Sequence, residues 1–308
     1  MKIIAIIVTY NGMKWYKKCF NSLIESTIPV QTIIIDNNST DDSVQFIKEN
    51  YPQFKLIESN LNLGFGKANN IGLKYAIQED ADFVFLLNQD AWVKTNTLEG
   101  LVDKIKESPN FGIVSPIHLS GSEDNLDPHF STYIQSDSCP NLLSDFVIKG
   151  NAEDRIYPVK FVNAALWLIS KQCIYDVGGF DPIFPHYGED DNYIGRIQYH
   201  GYEIGIYPKV FGVHDREIKK KSEQTFSQRK GRELIRYIII LTGLYSSYKT
   251  LLFRSFFYIS LEMYSNLLHL SFGNFIINVS SFFNIIRLTP KILKNRKISR
   301  TKDLSFLK

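Results

Sequence analysis

Continuous apolar runs alternate with segments of helical periodicity over the first ninety residues. Apolar runs are typical of strands that are covered on both faces, as in parallel sheets. Strand–helix alternation with short connections predicts an α/β fold with a doubly wound, mostly parallel sheet. The predicted strands are residues 3–9, 30–35, 54–57 and 83–87, and the predicted helices are residues 14–26, 39–49 and 66–77.

The pattern weakens in the middle of the chain. Residues 118–158 have little periodicity and many Ser, Asp, Asn and Pro residues, which predicts an irregular, mobile excursion. Order returns with a strand within residues 161–170. The remaining predictions are a turn at 178–182, a helix that ends at 194–200 and two short strands at 204–207 and 210–213, the second closed by His214.

Composition changes after residue 216. Residues 1–216 contain 18 Lys+Arg and 27 Asp+Glu, a net charge of −9, whereas residues 217–308 contain 17 and 5, a net charge of +12. We therefore divide the chain into a domain of residues 1–216 and a basic, aromatic-rich helical region of residues 217–308. Such an asymmetry suggests an anionic partner, either a membrane or a nucleic acid. No nucleic-acid motif is present, and the region is rich in Phe and Leu, so a membrane is favoured.

The basic region contains 24 consecutive positions, residues 263–286, without Asp, Glu, Lys or Arg. A membrane span needs about 20 mainly apolar residues, but the Asn and Ser residues here are too polar for a confident span. Helices that lie on a membrane surface fit better, and so does a helical subdomain folded onto the core. The basic residues that would anchor such helices are Arg254, Arg287, Lys291, Lys294 and Arg296.

The cysteines and the first residues of the chain indicate the cellular compartment in which the protein is expected. Cys19, Cys139 and Cys173 form neither a disulfide framework nor a zinc motif, so a reduced, cytoplasmic setting is expected. The apolar run at residues 3–8 is too short for the core of a signal peptide.

Polar residues follow three of the predicted strands, at residues 9–11, 36–38 and 88–90. In open parallel sheets, ligands bind beyond the carboxyl ends of the strands. A carboxylate at Asp36 could accept hydrogen bonds from a nucleoside, although a turn Asp is the alternative. Asp90 could contribute to a divalent cation site, since hard cations bound to phosphates need few protein carboxylates. A turn Asp is the alternative there too.

Three further features carry weaker signals. Gly64 and Gly66 precede a predicted helix, but their spacing is not that of a dinucleotide-binding loop. Glu189, Asp190 and Asp191 could stabilise a helix N-terminus, and one of them could act as a general base. His214 becomes a candidate ligand only if it faces Asp90, because a lone histidine is more often structural.

Taken together, these residues resemble the family 2 inverting glycosyltransferases of GT-A fold. The resemblance covers roughly residues 1–216, and the pieces occur in the family's order. The matching pieces are IIVTYNG (allowing Ala5), IIIDNNSTDDS, NLGFGKANNIG, FLLNQDAWV, VGGFDPIFPHYGEDDNYIGR and VHD. Asn88 departs from the family pattern because it stands where the first Asp of a DxD-type motif is usual.

The resemblance implies roles for individual residues. Asp190 matches the general base, and Asp90 and His214 match the positions that hold a divalent metal, Mn or Mg. Residues implied to border the nucleotide or its diphosphate are Thr9, Tyr10, Asn11, Asp36, Asn38, Gly66, Asn69, Asn70, Asn88 and Asp90.

The implied reaction is the metal-dependent, inverting transfer of a hexosyl or deoxyhexosyl group from a UDP- or dTDP-linked donor. The implied acceptor is a glycan or lipid-linked glycan in surface-polysaccharide synthesis, at the inner face of the cell membrane. Two alternatives remain at this point. One is a sugar nucleotidyltransferase, although Thr9 to Lys14 lack its repeated glycines and arginine. The other is a non-catalytic nucleotide-sugar-binding or scaffold protein of the same fold.

Overall fold

A computed structural model describes residues 1–216 and 225–308 of the chain. The strands are β1 (Ile3–Thr9), β2 (Gln31–Asp36), β3 (Lys55–Glu58), β4 (Phe83–Asn88), β5 (Ala91–Val93), β6 (Phe111–Leu119), β7 (Tyr157–Pro158), β8 (Leu166–Ser170) and β9 (Glu203–His214). The helices are α1 (Met13–Ile24), α2 (Ser43–Asn50), α3 (Phe65–Gln78), α4 (Thr97–Glu107), α5 (Phe130–Tyr133), α6 (Leu142–Lys149), α7 (Lys171–Val177), α8 (Glu189–Tyr199), α9 (Phe226–Thr242), α10 (Tyr248–Leu268) and α11 (Phe272–Ile298).

The strands form one mixed sheet in the order β3-β2-β1-β4-β8-β6-β9-β5, with β7 paired to β9. The first four strands in space are parallel. Strand β8 is antiparallel to both β4 and β6, while β6 and β9 are parallel. Because six of the nine strands therefore run in one direction, the prediction of a mostly parallel α/β sheet is confirmed.

Helices cover both faces of the sheet, which explains the unbroken apolar strands. On β1, Ile4 and Ile6 pack in the core that includes α3 and α8, whereas Ile3, Ala5 and Ile7 pack in the core that includes α1 and α4. Successive side chains of a strand point to opposite faces, so a strand buried on both needs apolar residues throughout.

Two predictions in the middle of the chain are wrong. Residues 118–158 are not an irregular excursion, because they contain the end of β6 and the short helices α5 and α6. Three residues of this segment are fully buried and anchor it, namely Phe130, Cys139 and Leu142. The two strands predicted at 204–207 and 210–213 are one strand, β9, whose pairing with β6 shifts register between Pro116 and Ile117. The shift carries the ladder past Pro208, which has no N–H to donate.

The three C-terminal helices pack against the sheet domain. Ile183 and Phe184 share a buried cluster with Tyr237, Ile259 and Ile285 from the three helices. Beyond α11, Leu307 joins the main core, and the Gly179 N–H donates to the Ser305 carbonyl at 2.7 Å. The region therefore folds onto the core. The predicted boundary at 216/217 borders residues 217–224, which lie outside the described residues. Lys219, Lys220 and Lys221 belong to that segment.

Helix α10 turns large apolar side chains outward and a small polar one inward. Ser255 of α10 is buried, whereas Phe253, Phe257 and Tyr264 are 73%, 53% and 64% exposed. Across the described residues, no helix combines the length and the apolar character that crossing a membrane requires.

Candidate active site

The carboxyl ends of β1, β2 and β4 bring three predicted residues to one edge of the sheet. Thr9 is the register partner of Asp36, and Val8 is the partner of Asn88. Asp36 is buried and accepts hydrogen bonds from the Thr9 hydroxyl at 3.2 Å and from the Ser39 N–H and hydroxyl at 2.9 and 2.6 Å. Ser39 thus orients Asp36, and α2 begins only at Ser43.

The loops after these strands are tied together by side chains. Gln89 contacts the Tyr10 backbone through two hydrogen bonds. Its side chain accepts from the Tyr10 N–H at 2.8 Å and donates to the Tyr10 carbonyl at 3.1 Å. Asn11 and Asn38 both adopt left-handed backbone conformations, with φ of 48° and 69°. Asn11 accepts from the Thr40 N–H at 2.8 Å. These contacts leave Tyr10 43% exposed at the rim of the site.

Asp90 and His214 face each other, as the sequence required for a joint role. Ala91 is the register partner of His214, and the His214 Nε2 lies 3.5 Å from the Asp90 Oδ1. The carboxylate oxygen of Asp90 suits a divalent metal such as Mn or Mg, and an imidazole nitrogen suits a transition metal, with further positions left for phosphate and water. Within residues 1–216 and 225–308, no three His, Cys, Asp or Glu side chains converge as a metal cluster.

Arg216 contacts the other nitrogen of His214, a contact that no motif in the sequence indicated. Its Nη2 lies 3.0 Å from the His214 Nδ1, and its Nε donates to Asp127 at 2.7 Å. Because arginine only donates, this contact leaves the His214 proton on Nε2, towards Asp90. Were a metal held by Nε2, the His214 proton would have to lie on Nδ1 and Arg216 would have to move away from it. Asp127 is fully buried within the segment that was predicted to be irregular.

The acidic triplet opens helix α8 at the same edge. Burial raises the pKa of Asp190 to about 6 and that of Glu189 to about 7. The pKa of Asp191 is also raised by burial. The backbone of Ala164 lowers the pKa of Asp190 and so partly offsets the effect of burial, and the adjacent Ala165 carbonyl accepts from the Asn88 N–H at 3.0 Å. Asp190 is thereby linked to the end of β4.

Glu189 differs from Asp190 in its surroundings. It is buried, and its Oε2 atom has no hydrogen-bond partner. With a pKa of about 7, Glu189 is about half protonated at neutral pH, whereas Asp190, with a pKa of about 6, is largely ionised. Of these two acids, Asp190 is therefore better suited to accept a proton.

Three residues of α3 that were predicted to border the nucleotide make contacts with other parts of the protein itself. Asn70 accepts from the Phe180 N–H at 2.7 Å and donates to the Phe180 carbonyl at 2.8 Å. Asn69 donates to the Phe65 carbonyl of its own helix at 3.0 Å. A Cβ on Gly66 would lie 3.0 Å from the Phe180 Cβ, so the glycine permits close packing. Their predicted nucleoside role stays a prediction.

A sequence model of the family described as "Glycosyl transferase family 2" matches residues 4–166, more than half of the chain. The chain belongs to glycosyl transferase family 2. The matched span includes β1 to β4 and the Asp36 and Asp90 positions, and the resemblance inferred from the motifs is confirmed. The family membership sets aside the sugar nucleotidyltransferase alternative.

One relative of this glycosyltransferase is named as an L-rhamnosyltransferase. The chain is 25% identical over 236 residues to N-acetylglucosaminyl-diphospho-decaprenol L-rhamnosyltransferase of Mycobacterium tuberculosis, covering 68% of this chain and 75% of the relative.

Two solved structures show the fold. One is Staphylococcus aureus TarS 1–349 in complex with UDP-GlcNAc, with a TM-score of 0.54 and 17% identity, over 82% of this chain and 70% of that one. The other is the mannosyltransferase PcManGT of Pyrobaculum calidifontis in complex with GDP-Man and Mn²⁺, with a TM-score of 0.57 and 16% identity, over 93% and 75%. The predicted GT-A fold is thereby confirmed.

Proposed function

We propose that this glycosyltransferase transfers a hexosyl or deoxyhexosyl group, with inversion, from a UDP- or dTDP-linked donor to a hydroxyl of a glycan or lipid-linked glycan. The observation that carries the proposal is Asp190, a carboxyl group at the sheet edge whose pKa is raised to about 6. A base with a pKa near the working pH combines ionisation at neutral pH with a useful affinity for a proton. The rhamnosyltransferase relative supports the sugar and acceptor classes.

In the proposed reaction, Asp190 removes the proton of the acceptor hydroxyl as its oxygen attacks the anomeric carbon. The bond to the nucleotide diphosphate breaks on the opposite face, which inverts the configuration without a covalent intermediate. Asp36 and the Thr9–Asn11 loop orient the nucleoside, with Asn38 beside them. Asp90 and His214 would hold a divalent cation, which supplies charge neutralisation of the diphosphate leaving group when bound. Of Asn88 and Asp90, only Asp90 carries a charge, so Asp90 supplies the carboxylate.

The test is the substitution Asp190→Asn, which removes the base and keeps the shape of the side chain. Turnover should fall by about 10²- to 10⁴-fold, the usual contribution of a general base. Affinity for the donor, measured by thermal shift, should change little. Asp137→Asn, at an exposed acid, is the matched control and should keep full activity. Turnover retained by Asp190→Asn would remove it as the base.

A thermal-shift panel identifies the donor. UDP- and dTDP-linked sugars are compared with and without manganese, since a ligand that binds the folded state raises its melting temperature. We expect the cognate donor to stabilise the protein most when manganese is present. Equal stabilisation without metal would argue against the proposed role of Asp90 and His214.

We also propose that residues 217–308 contact the inner face of the cell membrane from the cytoplasm. Five apolar residues lie along the outward side of α10 at the three- and four-residue spacing that normally faces a core. They are Phe253, Phe257, Leu261, Tyr264 and Leu268, each about half exposed or more. The basic composition of the region supports an anionic lipid surface as its partner.

A further inference from the structure

Tyr187 precedes the acidic triplet in an unusual conformation. Tyr187 and Gly188 both lie in the left-handed region, with φ of 69° and 83°. A bulky residue there is uncommon and costs free energy, which marks a candidate functional position. Tyr187 is 56% exposed, and its ring centroid lies 3.9 Å from that of His186. The backbone thus holds an aromatic ring at the surface, three residues before Asp190.

Helix α9 of the C-terminal region packs directly beside this ring. A Cβ on Gly188 would lie 2.9 Å from the Ile235 Cγ2 and 3.0 Å from the Ile239 side chain, so only glycine fits there. Arg232 shares the helix face of Ile235 and Ile239, three and seven residues away. Its guanidinium carbon lies 5.7 Å from the centroid of the Tyr187 ring, within cation–π range.

The other end of this helix leads to the apolar tip of the α10–α11 hairpin. The Arg229 Nη1 donates to Asn274 near the start of α11 at 3.4 Å. The tip exposes apolar residues, among them Leu270 (72%) and Phe272 (60%). From Ile235 to Phe226, α9 rises about 14 Å. Arg232 therefore lies along α9 between two points. One is the contact of α9 with Gly188, two residues before Asp190, and the other is the apolar tip of the α10–α11 hairpin.

We propose that Tyr187 and Arg232 form an acceptor subsite for a lipid-linked glycosyl diphosphate. The acceptor sugar packs its C–H face on the Tyr187 ring, the diphosphate binds the Arg232 guanidinium, and the lipid leaves towards the hairpin tip. Guanidinium groups bind phosphate oxygens through two parallel hydrogen bonds, which suits Arg232 to the diphosphate. This subsite rests on the proposed function, because it gives the acceptor of that reaction its binding residues.

The test measures binding by calorimetry on the full chain with three probes. They are geranyl diphosphate linked to N-acetylglucosamine, geranyl N-acetylglucosaminide without the diphosphate, and UDP. Arg232→Gln should weaken the diphosphate probe by about tenfold or more, as expected for lost charge-assisted hydrogen bonds, and leave the other two within twofold. Tyr187→Asn should weaken both geranyl probes and spare UDP, since asparagine tolerates the left-handed backbone.

Two controls separate the subsite from general effects. Lys230→Gln removes a basic residue two positions from Arg232, on nearly the opposite side of α9, and should change no affinity. Tyr187→Phe keeps the ring and should bind both geranyl probes as tightly as the wild-type chain does.

Three results would overturn the subsite. The wild-type chain could bind the diphosphate probe no more tightly than the neutral glycoside. Arg232→Gln could weaken both geranyl probes equally. Arg232→Gln could also weaken UDP instead, which would assign Arg232 to the donor diphosphate. Each result is read from binding alone, so it is distinct from failure of the Asp190→Asn test, which is read from turnover.

Discussion

Asp190 combines a position at the edge of the sheet with an altered protonation equilibrium. Burial is the largest cause of its raised pKa of about 6, and the neighbouring Asp191 carboxylate adds to it. The same burial raises the pKa of Glu189 to about 7. The three acids in a row do not rank themselves, and only the family resemblance singled out Asp190, because their exposure depends on how α8 meets the sheet. The fold supplies that ranking.

The pH dependence of turnover follows from this pKa. As the pH falls below about 6, Asp190 gains a proton and cannot act as a base, so kcat/KM should fall about tenfold per pH unit. A carboxyl group with an ordinary pKa would keep the enzyme active down to about pH 4. Initial rates between pH 4.5 and 8 test this, and a rate that is flat between pH 5 and 7 would contradict it.

Thermal unfolding at the same pH values shows whether the fold survives. Glu189 and Asp190 bind protons more readily in the folded state than in the unfolded state, since their folded pKa values are raised. Stability contributed by such groups is present at low pH and is lost as the pH rises through the folded pKa values, here about 6 to 7. These two groups therefore favour the folded state as activity declines, and a melting temperature that stays unchanged between pH 7 and 5 would show that the loss of rate is not a loss of folding.

At the scale of the elements, α3 positions the turn that leads to α8. Asn70 of α3 satisfies both the N–H and the carbonyl of buried Phe180. On the other side of the turn, Asn295 of α11 donates to the Asp181 carboxylate at 2.6 Å. The segment before Asp190 is thus fixed by the catalytic domain and by the C-terminal helices together.

Asn70→Leu should destabilise the protein and impair turnover. It leaves two buried backbone groups without partners, at about 1–3 kcal/mol each. The free energy of unfolding, from urea titration, should therefore fall by about 2–6 kcal/mol, and kcat should fall as the turn loosens. Asn50→Ala is a matched control, because exposed Asn50 donates only to the Phe46 carbonyl of its own helix at 2.9 Å. A loss no larger than the control's would show that Asn70 does not hold the turn.

The elements that the sequence predicted well are those whose signal is local. Strands β1, β2, β3 and β4 follow from continuous apolar runs, and each lies within a residue of its predicted bounds. Residues 118–158 were misread because their anchors are single buried residues, such as Phe130 and Cys139, with no period between them. The Asp127–Arg216 pair joins residues 89 positions apart, and no local pattern reports such a contact.

At the scale of the whole molecule, opposite charges are separated along the chain. The acidic catalytic part carries −9 and the basic part +12. The structure adds what the charge could not show, namely that the helical region forms part of the catalytic framework. Leu307 lies in the main core, and Lys302 pairs with Asp176 at 3.1 Å. Truncation at residue 216 would therefore disturb the catalytic domain, and surface substitutions are the better test of membrane contact.

Replacing the outward aromatic residues of α10 should abolish membrane binding. The variant Phe253→Gln, Phe257→Gln, Tyr264→Gln removes three exposed rings from a surface whose insertion would bury them, at roughly 1.5–3 kcal/mol for a buried Phe. Co-sedimentation with vesicles of phosphatidylcholine and phosphatidylglycerol should fall at least about tenfold. Vesicles of phosphatidylcholine alone should bind the wild-type chain more weakly, since basic residues contribute through anionic lipid.

The control is the double substitution Val147→Gln, Ile148→Gln, at residues that are 82% and 81% exposed on α6 of the catalytic part. It removes exposed apolar area far along the chain from the hairpin and should leave vesicle binding unchanged. Light scattering of the same proteins separates a membrane from a second copy as the partner of this face. A wild-type dimer that the α10 variant converts to a monomer, with vesicle binding weak throughout, would assign the apolar stripe to self-association, because a face buried in a dimer is unavailable to lipid.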